Sequence, residues 1–193
     1  MPKRGYHHGN LRQALVEAAL TRFEAKGPTG FTLSEAAKQA GVHPAAVYRH
    51  NDGREDLLAE AARQGYEIFA DGMQYAFDKG QPSAMSACEA TGRAYLAFAR
   101  RYPGHYIAMF ESGISVNRNP ELAAISAKAR RVLERAAEEL SQHIPPEKRP
   151  PPAMFSAHVW AMSHGVVELF ARNSPGTQSP VSPEDLLETG IGV

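Results

Sequence analysis

The chain has 193 residues, with 21 basic and 21 acidic side chains, 43% hydrophobic residues and one cysteine. That length is enough for one or two domains with a real core, and the balanced charge excludes a polyelectrolyte that binds nucleic acid over its whole surface. Cys88, as the lone cysteine, excludes an internal disulfide, so a reducing compartment is the expected setting.

The first ten residues, MPKRGYHHGN, hold no apolar run, so no signal peptide is expected. No later stretch approaches the roughly 20 apolar residues of a membrane span. A cytoplasmic protein with no membrane partner is therefore the expectation. Residues 1–58 carry 8 Lys/Arg against 6 Asp/Glu, and four of the eight histidines (His7, His8, His43 and His50). Such a small excess still permits a local phosphate-binding face.

Nearly every periodic segment has helical spacing, and no segment reads as a strand. Asn10 can cap a helix over 11–26 with Leu11, Ala14, Leu15, Ala18, Ala19 and Phe23 on its apolar side, ended by Gly27-Pro28. Thr32 and Glu35 form a capping-box pattern ahead of Leu33, Ala36, Ala37 and Ala40. Gly41 stops that helix, and Pro44 opens a second, over 44–50 and about 10 Å long. Two short helices around a tight turn form a helix-turn-helix, whose second helix enters the DNA major groove.

A long helix is expected over 53–79, weakened at Gly65 and Gly72. Further helices are expected over 84–101, 103–111 and 120–143, and the run IPPEKRPPP (144–152) must be a loop. Residues 153–172 are apolar on most sides, so their helix should be covered on more than one face. After the loop at 174–183, Glu184 to Leu187 can start only a short helix that GIGV then cuts off.

Several spaced motifs agree with one family. ALVEAALTRFEAKG, FTLSEAAKQAGV, AAVYRH and REDLL, between Leu11 and Phe69, resemble the DNA-binding domain of the tetracycline-repressor (TetR) family. GYHHGNLRQAL and WAMSHG (160–165) resemble its subfamily with a Trp-His-Gly signature. The resemblance implies an all-α fold with an N-terminal three-helix helix-turn-helix domain and a C-terminal helical domain for ligand binding and dimerisation. The corresponding boundaries are a basic arm at 1–10, a DNA-binding domain at 11–58 running into the long helix to about 79, and a second domain at 59–193.

The implied function is a ligand-responsive repressor that binds a palindromic operator as a homodimer, with no catalytic residues, cofactor or metal. Three departures from the family pattern stand out. Asn51 replaces an aromatic, Arg54 replaces a lysine, and His43 replaces a Ser or Thr cap. Asn51 is the best support for the alternative, a helical ligand-binding protein or enzyme that kept the scaffold and lost DNA binding.

The expected DNA-binding set is Lys3, Arg4, Thr32, His43, Pro44, Ala45, Ala46, Tyr48, Arg49, His50 and Arg54. Cationic and hydroxyl groups there would meet phosphates, Arg49 a base edge or phosphate, and the two alanines thymine methyls. A small-molecule effector would be lined by Tyr95, Phe98, Tyr106, Met109, Phe110, Trp160, Met162 and His164. Ordinary core packing is the competing role for each of these, and Gly165 beside His164 would serve close helix packing. Phe155, Val159, Val166, Val167 and Phe170 are the expected dimer-interface residues.

Overall fold

The computed structural model describes residues 8–47, 53–171 and 181–192. Its helices are α1 (His8–Lys26), α2 (Leu33–Gln39), α3 (Pro44–Val47), α4 (Arg54–Lys79), α5 (Ala84–Arg101), α6 (Pro103–Phe110), α7 (Pro120–Ser141), α8 (Pro152–Val166) and α9 (Pro183–Gly192). Short 3₁₀ turns occupy Val116–Arg118 and Pro146–Lys148, and a π-helical turn, Val167–Ala171, continues α8. Among the described residues no strand is present, so the fold is all-α. No helix among them is long and apolar enough to cross a membrane.

Contacts divide the chain into two compact units, Met1–Gly65 with Tyr102–Ala123, and Tyr66–Arg101 with Ala124–Val193. The division falls inside α4 rather than near residue 58, and α6 joins the N-terminal unit. Gly104 shows why. A Cβ there would sit 2.7 Å from the Leu20 carbonyl oxygen, so only glycine lets α6 lie so close to α1. The Gly104 N–H also donates to the Glu24 carboxylate at 3.3 Å. That supplies the start of α6 with an acceptor that its own N-cap, Tyr102, does not provide. Gly65 likewise makes room for a neighbour, since a Cβ would meet the Met109 sulfur at 2.6 Å. Its cost to helix propensity is offset by packing.

Aromatic packing organises the second unit. The Phe69 ring lies edge-on to Tyr95 at 4.7 Å and tilted against Phe98 at 5.0 Å, and Trp160 meets Tyr95 edge-on at 6.1 Å. The Tyr95 hydroxyl hydrogen-bonds His164 Nδ1 at 2.9 Å. Lys128 of α7 pairs with Asp71 of α4 at 2.6 Å, and the Arg135 guanidinium sits 4.5 Å from the Phe77 ring centroid.

The last helix is longer than its sequence suggests. Leu187 is buried, Glu188 pairs with Arg93 at 2.7 Å and Glu184 with Arg100. Gly190 continues the helix because Met162 of α8 fills the space its side chain would take. Tertiary packing thus carries α9 past Gly190, which would weaken an isolated helix, to its end at Gly192.

Candidate nucleic-acid interface

The α2–turn–α3 segment is built from local chemistry. Thr32 Oγ1 accepts from the Glu35 N–H at 3.3 Å, and the Glu35 carboxylate accepts from the Thr32 N–H at 3.1 Å and its hydroxyl at 3.0 Å. This is the expected capping box. Those bonds, with Arg22 at 3.1 Å, hold the Glu35 carboxyl below its ordinary pKa; the Thr32 hydroxyl is the main cause. At the other end of α2, Val42 N–H donates to Ala37 O at 2.9 Å and Gly41 N–H to Lys38 O at 3.2 Å. With Gly41 at φ +71°, this is a Schellman stop.

His43 then caps α3, its Nδ1 accepting from the Ala45 N–H at 3.3 Å. The imidazole takes over the task of the Ser or Thr it replaces. Val47 is 0% exposed and anchors α3 in the core, while His43 and Ala45 face solvent and Pro44 is half-buried. A buried anchor at Val47 with Ala45 turned outward is what a helix needs to be presented to a groove.

The remaining members of the expected DNA-binding set divide sharply. Lys3, Arg4, Tyr48, Arg49 and His50 lie outside the described residues, as do Asn51 and the side chain of Ala46. Thr32 is spent on its cap. The Arg54 guanidinium donates to the Pro28 carbonyl at 2.7 Å and sits 5.8 Å from the Phe31 ring centroid. It clamps the head of α4 to the α1–α2 connection, which corrects the expectation of a cation held ready for phosphate. On the same unit Glu60 bonds Arg63 at 2.8 Å and Gln64 at 2.8 Å, with Arg12 at 3.6 Å. These partners, Arg63 first, lower its pKa.

The expected effector-pocket residues fall into two separate groups. Tyr106, Met109 and Phe110 belong to the first unit, with the Tyr106 and Phe110 rings 4.8 Å apart. Tyr95, Phe98, Trp160, Met162 and His164 belong to the second. Tyr95 and Tyr106 are 0% exposed, and Phe98 and Met109 are also buried, so these four are core. Trp160, Met162 and His164 are half-buried, and the Trp160 and His164 rings stack at 6.4 Å.

The expected dimer residues need correction. Val159, Val166 and Val167 are buried within the single chain, packed in the core of the second unit. Side chains already covered cannot form an interface. Phe155 and Phe170 are half-buried. The open side of α8 instead carries Met154, His158 and Ala161, with Leu169 64% exposed just beyond. Gly165 belongs to that open side too: among the described residues, nothing beyond its own helix lies within 4 Å of a Cβ built there.

Residues 88–193 match the family described as "Tetracyclin repressor-like, C-terminal domain", and residues 15–61 match "Bacterial regulatory proteins, tetR family". The chain belongs to the TetR family. A Bacillus subtilis (strain 168) relative, the uncharacterised helix-turn-helix transcriptional regulator YobS, is 30% identical over 100 residues, which are 52% of this chain and 51% of YobS. The match thus spans about half of that relative. Among solved structures, a Rhodococcus sp. RHA1 protein of unknown function superposes with a TM-score of 0.80 at 22% identity, covering 98% of this chain and 96% of that one. AibR, solved with isovaleryl coenzyme A and operator DNA, superposes at 0.71 with 19% identity over 94% and 96% of the two chains. Identities this low establish a shared TetR fold.

Proposed function

We propose that this TetR-family chain is a ligand-responsive transcriptional repressor that binds a palindromic operator as a homodimer. The observation that carries the reading is α3 itself, capped by His43, pinned by Val47 and presenting Ala45 to solvent. Two such helices, one per protomer, would enter successive major grooves about one helical turn apart. Arg49 and the basic arm would supply phosphate affinity and part of the base preference. AibR, with a ligand and operator DNA in one crystal, supports the pairing of the two activities on this fold. A cytoplasmic location and the absence of catalysis fit the same reading.

Dimerisation is assigned to the open stripe of α8. Met154, His158, Ala161 and Gly165 recur at spacings of four, three and four, which keeps them on one helix face. Small residues at 161 and 165 would let a partner helix approach closely. An effector would act by preferring one conformation of the dimer, and the shift can be no larger than that difference in affinity.

The test is binding of purified protein to the DNA upstream of its own gene at 50 mM and 200 mM salt. Affinity is expected to fall by at least tenfold between the two, and Arg49→Ala to weaken it further. Salt-independent or absent binding by folded protein overturns the reading.

A further inference from the structure

The first unit holds a second surface that the reading above does not use. A cleft of about 360 Å³ lies between the first two turns of α4 and the connection from α6 to α7. Every lining residue belongs to that one unit. Glu55, Leu58 and Ala59 form one wall, and Ile114, Arg118 and Asn119 the other. That volume is at the lower end of small-molecule sites, roughly 300–1,000 Å³.

The α6–α7 wall is a built structure. Ser112 Oγ donates to the Ala108 carbonyl at 2.7 Å and accepts from the Ile114 N–H at 3.3 Å. Gly113 turns the chain at φ +74°, and a 3₁₀ turn over Val116–Arg118 follows. Asn119 Oδ1 accepts from the N–H groups of Glu121 and Leu122, both at 3.1 Å, which caps α7 and leaves the Asn119 amide NH₂ as a donor at the cleft.

Four charged side chains line the cleft, and two are committed elsewhere. Arg54 is held by Pro28, and Asp56 faces Arg12 at 3.7 Å. Glu55 and Arg118 remain. Both are exposed, and among the described residues neither pairs with the other or with any third group. Ala59 and Ile114 place apolar surface in the same cleft, whereas Leu58 is only 2% exposed. A simple anion would meet the carboxylates of Glu55 and Asp56, and a simple cation would meet the two guanidinium groups. A ligand carrying both charges satisfies the pair.

We propose that this cleft binds a small zwitterion with an apolar body, in the size range of a free amino acid or dipeptide. Its carboxylate docks on Arg118 with help from the Asn119 amide, its ammonium on Glu55, and its apolar side chain against Ala59 and Ile114. The cleft's lining lies wholly in the first unit, and binding there needs no DNA.

Isothermal titration of the full chain, without DNA, tests the idea with L-leucine and L-leucylglycine as probes. At least one is expected to bind at millimolar concentration or below. Against that probe, 4-methylpentanoate, which lacks the ammonium, and isoamylamine, which lacks the carboxylate, should each bind at least tenfold more weakly. Arg118→Ala and the cleft-filling Ala59→Trp should each weaken probe binding at least tenfold. Arg118 is exposed, so its variant is expected to keep the wild-type circular dichroism and Tm; that makes it the decisive one if Ala59→Trp misfolds. No heat from either probe at 5 mM, equal binding of the singly charged analogues, or undiminished binding in Arg118→Ala overturns the proposal. Because no operator is present, failure here is distinct from failure of the DNA-binding reading.

Discussion

The helix-turn-helix of the first unit and the ring cluster of the second are ordered in different ways. In the first, small polar devices set the backbone around a core that also holds ring pairs such as Phe23–Phe31: the Thr32–Glu35 box, the Schellman turn at Gly41, the His43 cap, the Arg54–Pro28 clamp and the Glu24–Gly104 contact. In the second, order comes from a few large rings, Phe69, Tyr95, Phe98 and Trp160, touching one another across elements distant in sequence. Each polar device is worth about 1 kcal/mol. One ring can be worth several times that. A helix that must be presented outward cannot rely on burial alone. It is positioned by its turn and caps, each of which fixes a backbone geometry at little cost in buried area.

The contrast can be tested first where it predicts the largest loss. Phe69→Ala removes the ring against which Tyr95 and Phe98 pack, at a site 1% exposed. A cost of about 3–5 kcal/mol is expected, read as a large drop in the denaturant midpoint. A cost near 1 kcal/mol would show that the rings share the burial more loosely than the geometry indicates. Gly104→Ala should come next. Its Cβ would press on the Leu20 backbone, which cannot rotate away, and about 1–3 kcal/mol is expected from that overpacking. A neutral result would mean that α6 can slide on α1 without penalty.

Thr32→Ala should cost about 1 kcal/mol, as N-cap removal does elsewhere. It should also raise the pKa of Glu35, because the hydroxyl is the first cause of that depression. Carboxyl NMR titration of the variant checks this, and an unshifted Glu35 would remove the capping box from the explanation.

These outcomes bear on what a sequence makes visible. Thr32, Glu35, Gly41 and Pro44 announce the helix-turn-helix because each acts on backbone groups within a few residues of itself. The α8 face was not visible, because periodicity cannot tell which side of an apolar helix its own chain will cover. Val159, Val166 and Val167 go to the core of the second unit, leaving the smaller residues and Met154 outside. Arg54 misled for the same reason, since its carbonyl partner at Pro28 lies in a separate segment. The cleft left no local trace at all. Glu55 and Arg118 are 63 positions apart, and only the fold puts them on one surface. The extent of α9 was likewise set by Met162, Arg93 and Arg100 rather than by its own glycines.

His105 is a polar group in the first unit that behaves like a buried ring. It lies edge-on to Tyr102 at 5.9 Å and beside Gly65, and burial holds its pKa below the ordinary histidine value. The folded state therefore binds that proton less readily than the unfolded chain. By linkage, the contribution of His105 to stability is whole above about pH 6.5, shrinks as pH falls below it, and levels off once pH passes the lowered folded value. His105→Asn cannot take up the proton, so its stability should fall less than that of the wild type between pH 7.5 and pH 5. Denaturant titrations of both proteins at the two pH values measure the difference. Parallel losses would mean that the imidazole is as well solvated in the folded protein as in the unfolded chain, and that packing beside Gly65 does not exclude water from it.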